Sequence, residues 1–80
     1  MKVNLKLARV GMNMSEATIT KWHVEEGASF KEGDVIYEYE TEKVTNEIEA
    51  TANGTMVEIC VAEGDEAEVG EVVCIVDVDM

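Results

Sequence analysis

The chain repeats itself in part at an offset of 37 residues. Val24-Glu25-Glu26-Gly27 lies over Val61-Ala62-Glu63-Gly64, and Gly33-Asp34-Val35-Ile36 over Gly70-Glu71-Val72-Val73. Ile19 and Trp22 lie over Met56 and Ile59. Halves of this size cannot bury a hydrophobic face alone, so each must cover the other. The favoured solution is two similar sheets packed face to face about an approximate two-fold axis. The 80 residues suffice for one domain, 1–80, with a thin core.

Each half reads as short strands punctuated by glycine. Proline is absent, and no stretch keeps a helical period between its glycines. Strands are expected over 3–8, 18–24, 35–40, 44–50, 55–61 and 72–76. Glu26-Gly27, Glu32-Gly33, Asn53-Gly54, Glu63-Gly64 and Val69-Gly70 mark turns, where glycine tolerates positive φ. In the fourth of these strands Val44, Asn46 and Ile48 share a face. Asn46 breaks the apolar pattern there, so it is expected at a wet edge or accepting backbone hydrogen bonds. Ile59 and Val61 are expected between the sheets, Trp22 in the core or half-buried, and Tyr37 and Tyr39 packed on one face.

Composition narrows the function. Aromatic residues are only 5% of the chain, which argues against a deep aromatic pocket and against an enzyme complete in itself. Six Lys and Arg face 18 Asp and Glu, a net charge of −12. Such a surface repels nucleic acid and anionic membrane. It suits a partner with a basic docking face, and it also keeps a small domain soluble and monomeric. His23 is the only histidine, and no ligand spacing for a metal is present. Cys60 and Cys74 lie in apolar runs and read as small strand residues in a reducing compartment, with a disulfide between them left open. His23 and Cys60 occupy equivalent repeat positions and are expected to face outward, with no role assigned. The N-terminal region shows neither an apolar signal core nor an Arg-rich transit segment. No apolar run approaches the ~20 residues of a membrane span. Without a secretion signal, the sequons at Asn13 and Asn53 read as chance matches.

The two halves meet in Glu40-Thr41-Glu42-Lys43, between two alternating strands. Lys43 is therefore expected in the turn that joins them, pointing to water. Glu38, Glu40, Glu42, Glu47 and Glu49 flank it in sequence. Acidic neighbours favour an ammonium over a free amine, which argues against a nucleophile or a Schiff-base lysine. A lysine so placed suits modification by another enzyme, which would leave a long arm on a rigid turn.

The run Glu40-Thr41-Glu42-Lys43-Val44 resembles the Glu-Thr-Asp-Lys-Ala type of motif in lipoyl domains of the dihydrolipoamide acyltransferase component of 2-oxo acid dehydrogenase complexes. Gly11, Met14, Ile19 and Trp22 match that family's first loop and second strand. Glu26-Gly27, Gly33-Asp34, Gly54 and Glu63-Gly64-Asp65 match its turns. The resemblance implies an all-β fold, a flattened barrel-sandwich of two four-stranded antiparallel sheets with two-fold pseudo-symmetry. It implies lipoic acid joined to Lys43 by an amide, on a turn shaped by Thr41, Glu42 and Val44. It further implies a non-catalytic swinging-arm acyl carrier. Its partners would be a lipoate-attaching enzyme, a thiamine-diphosphate-dependent 2-oxo acid decarboxylase, an acyltransferase core and a flavin-dependent dihydrolipoyl dehydrogenase. Met12, Asn13 and Met14 would form a docking loop for the decarboxylase. A bacterial or archaeal cytoplasm is expected, with the mitochondrial matrix as the alternative. Three positions depart from the pattern: Glu42 where Asp is common, Ala17 where Gly is common, and Asn46 where an apolar residue is common. Two rivals remain. A biotinyl carrier shares the fold but brackets its lysine with methionines, whereas Glu42 and Val44 flank Lys43. An unmodified β-sandwich used for protein interaction would leave Lys43 inert.

Overall fold

Glycine and alternating side chains divide the chain into eight strands. The computed structural model describes residues 1–8 and 15–79. The strands are β1 (Lys2–Lys6), β2 (Glu16–Trp22), β3 (Ser29–Phe30), β4 (Val35–Glu40), β5 (Thr45–Glu49), β6 (Gly54–Ile59), β7 (Glu66–Glu68) and β8 (Val72–Val78). They form two four-stranded antiparallel sheets, ordered β1-β8-β6-β3 and β5-β4-β2-β7. The expected class and strand count per sheet are both met, and the two sheets remain separate rather than closing into one ring of hydrogen bonds.

Two strands go beyond the six read from the sequence. β3 and β7 hold two and three residues, too few for alternation to register as a pattern. The strand expected over 44–50 is shorter at both ends, because Val44 belongs to the turn before it and Ala50 to the bend after it.

The repeat extends to individual hydrogen bonds. Ala17–Trp22 and Gly54–Ile59 follow the same sequence of buried and exposed positions, as do Val35–Glu40 and Val72–Asp77. Trp22 N–H donates to a Glu63 carboxylate, and Ile59 N–H donates to a Glu26 carboxylate, each 37 residues from its counterpart. Gly27 N–H donates to Met56 O and Gly64 N–H to Ile19 O, both at 2.7 Å. Gly27, Gly33, Gly64 and Gly70 have φ between 87° and 92°, the left-handed region that other residues avoid. Each pair bends the chain at the same point of its half.

Between the sheets lies one core that includes Ile19, Phe30, Tyr39, Met56, Val61 and Val76. Its two halves are unequal. Trp22, Tyr37 and Tyr39 in the β4–β2 sheet correspond to Ile59, Cys74 and Val76 in the other. The bulk is thus concentrated under the sheet that carries Lys43. Trp22 packs against Tyr37 in a tilted arrangement with ring centroids 5.0 Å apart, and the Tyr37 and Tyr39 centroids are 6.3 Å apart. Trp22 is half-buried as expected, with its indole N–H donating to Val61 O at 2.8 Å. Val61 is buried, but Ile59 is only half-buried, packed against the core margin. A bulge in the β6–β8 ladder between Met56 and Glu58 shifts the register just before it.

Candidate functional site

β4 and β5 pair from Glu40↔Thr45 downward, which leaves 41–44 to turn the chain. Thr41 N–H donates to Val44 O at 2.8 Å and closes that turn. The Thr41 hydroxyl sits inside it. It donates to Val44 O at 3.3 Å and accepts from the amides of Val44 at 3.2 Å and Lys43 at 3.4 Å. Threonine offers this bonding wherever a hydroxyl can fold back on the following backbone. No described non-glycine residue has positive φ, so this turn is made without the left-handed geometry used at the four glycines.

Glu42, Lys43 and Val44 are exposed, while Thr41 is half-buried. Val44 keeps 49% of its surface open, an apolar side chain directly beside the lysine. The ion pairs among the described residues are Met1 ammonium–Asp77 and His23–Glu38. Lys43 therefore reaches solvent without a carboxylate partner. Of the five glutamates that flank it in sequence, four spread along β4 and β5, and Glu42 stays in the turn. Glu38 is held by His23 and lies opposite Glu47 on β5. Glu38, Thr45, Asn46, Glu47 and Glu49 line a surface groove of about 290 Å³.

Under the turn, Tyr39 is fully buried and pairs across the ladder with Asn46. Asn46 Nδ2 donates to the Tyr39 hydroxyl at 3.3 Å, and Asn46 Oδ1 accepts from Glu47 N–H at 2.9 Å. β5 is an edge strand, so both expectations for Asn46 hold. Glycine signalled the turns at Gly27, Gly33, Gly64 and Gly70, whereas Gly54, expected in a turn, opens β6. The Thr41 clamp and the Asn46–Tyr39 pair were not signalled, because the first depends on how the backbone of 41–44 folds and the second on which side chains the ladder register places together.

Met12, Asn13 and Met14 lie outside the described residues. Cys60 and Cys74 are both free thiols. Cys74 is buried in β8 as expected, whereas Cys60 falls just past β6 and is exposed. Burial pushes the Cys74 thiol up to about 12, and the Cys60 thiol is raised by desolvation and by Glu58. Tyr37 is likewise pushed up to about 12 by burial. Among the described residues no group of His, Cys, Asp and Glu is arranged to hold a metal, and no helix is long and apolar enough to cross a membrane.

A family model described as "Biotin-requiring enzyme" (Biotin_lipoyl) matches residues 3–76. The chain belongs to the biotin/lipoyl family. Over 71 residues, 89% of the chain, it is 42% identical to the dihydrolipoyllysine-residue succinyltransferase component of the 2-oxoglutarate dehydrogenase complex of Rickettsia conorii. Over 66 residues, 82% of the chain, it is 42% identical to the dihydrolipoyllysine-residue acetyltransferase component of the pyruvate dehydrogenase complex of Rhizobium meliloti. A third relative, 39% identical over 82% of the chain, is the beta subunit of the pyruvate dehydrogenase E1 component of the same organism. The matches span 18%, 15% and 14% of those proteins' own lengths. The solution structure of the lipoyl domain of the 2-oxoglutarate dehydrogenase complex from Azotobacter vinelandii superposes with a TM-score of 0.81 at 29% identity, covering 94% of this chain and 95% of that one. A multi-domain long-chain acyl-CoA carboxylase superposes equally well, TM-score 0.81, at 16% identity over 99% of this chain and 7% of its own. That likeness concerns the fold alone. The resemblance to lipoyl domains of 2-oxo acid dehydrogenase acyltransferase components, drawn from the motif, is borne out.

Proposed function

We propose that the chain, 1–80, is a single lipoyl carrier domain whose working residue is Lys43. The observation that carries this is the placement of Lys43: exposed, without an ion-pair partner among the described residues, on the turn that joins the two halves of the duplicated fold. Lys43 Nζ would hold lipoic acid through an amide, and the bound dithiolane supplies reversible acyl and two-electron chemistry. The residues beside it fit that group, since Lys43 is exposed and Val44 offers an apolar flank. The fold acts as a rigid base. A tethered arm on such a base visits several active sites at high effective concentration.

The names of the relatives point to the setting. The carrier would serve a 2-oxo acid dehydrogenase complex, receiving acyl groups from a thiamine-diphosphate-dependent decarboxylase. It would deliver them to an acyltransferase and be reoxidised by a dihydrolipoyl dehydrogenase, in a bacterial cytoplasm. Glu42 and Val44 beside Lys43 favour lipoate over biotin, whose carriers bracket the lysine with methionines. The test is intact mass after incubation with a lipoate-attaching enzyme, ATP and lipoic acid. One lipoyl amide, mapped to Lys43 and lost in Lys43→Arg, is expected. A guanidinium cannot form that amide. Biotin incorporation by a biotin ligase under the same conditions, or modification surviving in Lys43→Arg, would overturn the reading.

A further inference from the structure

We propose that the Thr41 hydroxyl is a positioning residue for attachment at Lys43, setting the direction in which the lysine is offered to the modifying enzyme. The inference rests on the carrier reading above and concerns a different atom. A hydroxyl has one donor and two acceptor positions. In Thr41 all three are engaged within its own turn: the donor on Val44 O, the acceptors on the amides of Lys43 and Val44. The backbone of Lys43 is held from one side only, by this oxygen. At Gly27, Gly33, Gly64 and Gly70 the chain turns on glycines with positive φ, and those turns are fixed by their backbone conformation. The lysine turn has no glycine, so a side chain takes over that role.

Three further features favour threonine. Its β-branch restricts χ1, so the oxygen is aimed before any partner arrives. Thr41 is half-buried while its three neighbours are exposed, which anchors the clamp at the sheet and leaves the lysine free. The clamp touches backbone only. The identity of the side chain at 43 is therefore irrelevant to it, and the direction of that side chain is not.

During attachment the Nζ amine forms a bond to the activated lipoyl carbonyl. The bond from that carbonyl to its phosphate-bearing leaving group breaks, and the amine proton passes to a base of the modifying enzyme. Thr41 takes no part in these bond changes. Its contribution is orientation, and misplacing a reacting group by about 1 Å costs on the order of a hundredfold in rate.

The experiment compares the 80-residue chain with Thr41→Val and Thr41→Ser. Valine keeps the shape and the backbone bond to Val44 O, and loses all three hydrogen bonds of the hydroxyl. Serine keeps the hydroxyl and loses the branch. Two quantities are measured: kcat/KM for lipoylation by a lipoate-attaching enzyme with ATP and lipoic acid, and hydrogen exchange at the Lys43 and Val44 amides. We expect Thr41→Val to fold, to exchange faster at both amides, and to be lipoylated at least about tenfold more slowly. Thr41→Ser should recover most of both losses, which a packing role for the methyl group would not give. Lipoylation of Thr41→Val at the unsubstituted rate would overturn the inference while leaving the carrier reading intact. So would unchanged exchange at the two amides. An unsubstituted chain that is never modified would overturn both together.

Discussion

Tyr39 is fully buried, and its hydroxyl meets the Asn46 amide at 3.3 Å. A buried hydroxyl left without a partner costs about 1–3 kcal/mol, whereas replacing both partners by apolar groups is close to neutral. Asn46→Leu, which looks like a repair of the apolar pattern, is therefore expected to destabilise the domain by about 1–3 kcal/mol. Adding Tyr39→Phe should return most of the loss. Urea unfolding of the single and double variants measures both. A single variant more stable than the unsubstituted chain would show that Tyr39 finds another partner. The residue scale is where the sequence was least legible. Alternation exposed Asn46 as an anomaly, and the reason for it appears only when the β4–β5 register sets Asn46 opposite Tyr39. Thr41 was equally opaque, because its part lies in which amides it reaches.

Within the strands, the two halves solve one packing problem in two ways. Phe30 pairs with Gly54 across β3 and β6, and Ala67 pairs with Ala17 across β7 and β2 at the equivalent place. A Cβ on Gly54 would meet Asp77 O at 2.5 Å and the Phe30 ring at 2.9 Å. Ala17 accepts its Cβ where the facing residue is the small Ala67. The departure from glycine at position 17 is thus matched by a small residue across the ladder. Gly54→Ala is expected to destabilise by about 1–3 kcal/mol through overpacking. Ala17→Gly should cost about 0.5–1 kcal/mol through lost backbone restriction. Thermal unfolding of both separates the cases, and equal effects would mean that the halves pack alike. Strands of five or more residues could be located from the sequence because glycine bounds them and alternation fills them. β3 and β7 could not, since two or three residues gain their strand character from a neighbour rather than from themselves.

For the molecule as a whole, the repeat was the most legible feature, since a 37-residue offset constrains both sheets at once. Its limits were equally physical: the offset shows which positions correspond, not that Trp22, Tyr37 and Tyr39 load one half with bulk. That core has a pH signature. Tyr37 and Cys74 are both held up to about 12 by burial, against ordinary values of 10.0 and 9.0. The fold favours their protonated forms, so the stability they contribute is fully present below about pH 9 and declines as pH rises toward 12. Cys74→Val should flatten part of that decline, with little change at pH 7. Melting temperatures between pH 7 and 11 test this, and an unaltered alkaline slope would exclude Cys74 as a contributor.

The duplication also settles what stands opposite the lysine turn. Asp77 and Val78 correspond to Glu40 and Thr41 by the 37-residue offset. There, instead of a turn, the Met1 ammonium is bound to the Asp77 carboxylate at 2.7 Å and to Val78 O at 3.0 Å. The two strand ends that one half joins through Lys43 are, in the other half, brought together with no covalent link. One copy of the unit carries the lysine turn, and its twin holds the seam. Any polypeptide spliced to the first residue would emerge from that seam, in the sheet that does not bear Lys43, and so leave the lysine turn to the other sheet.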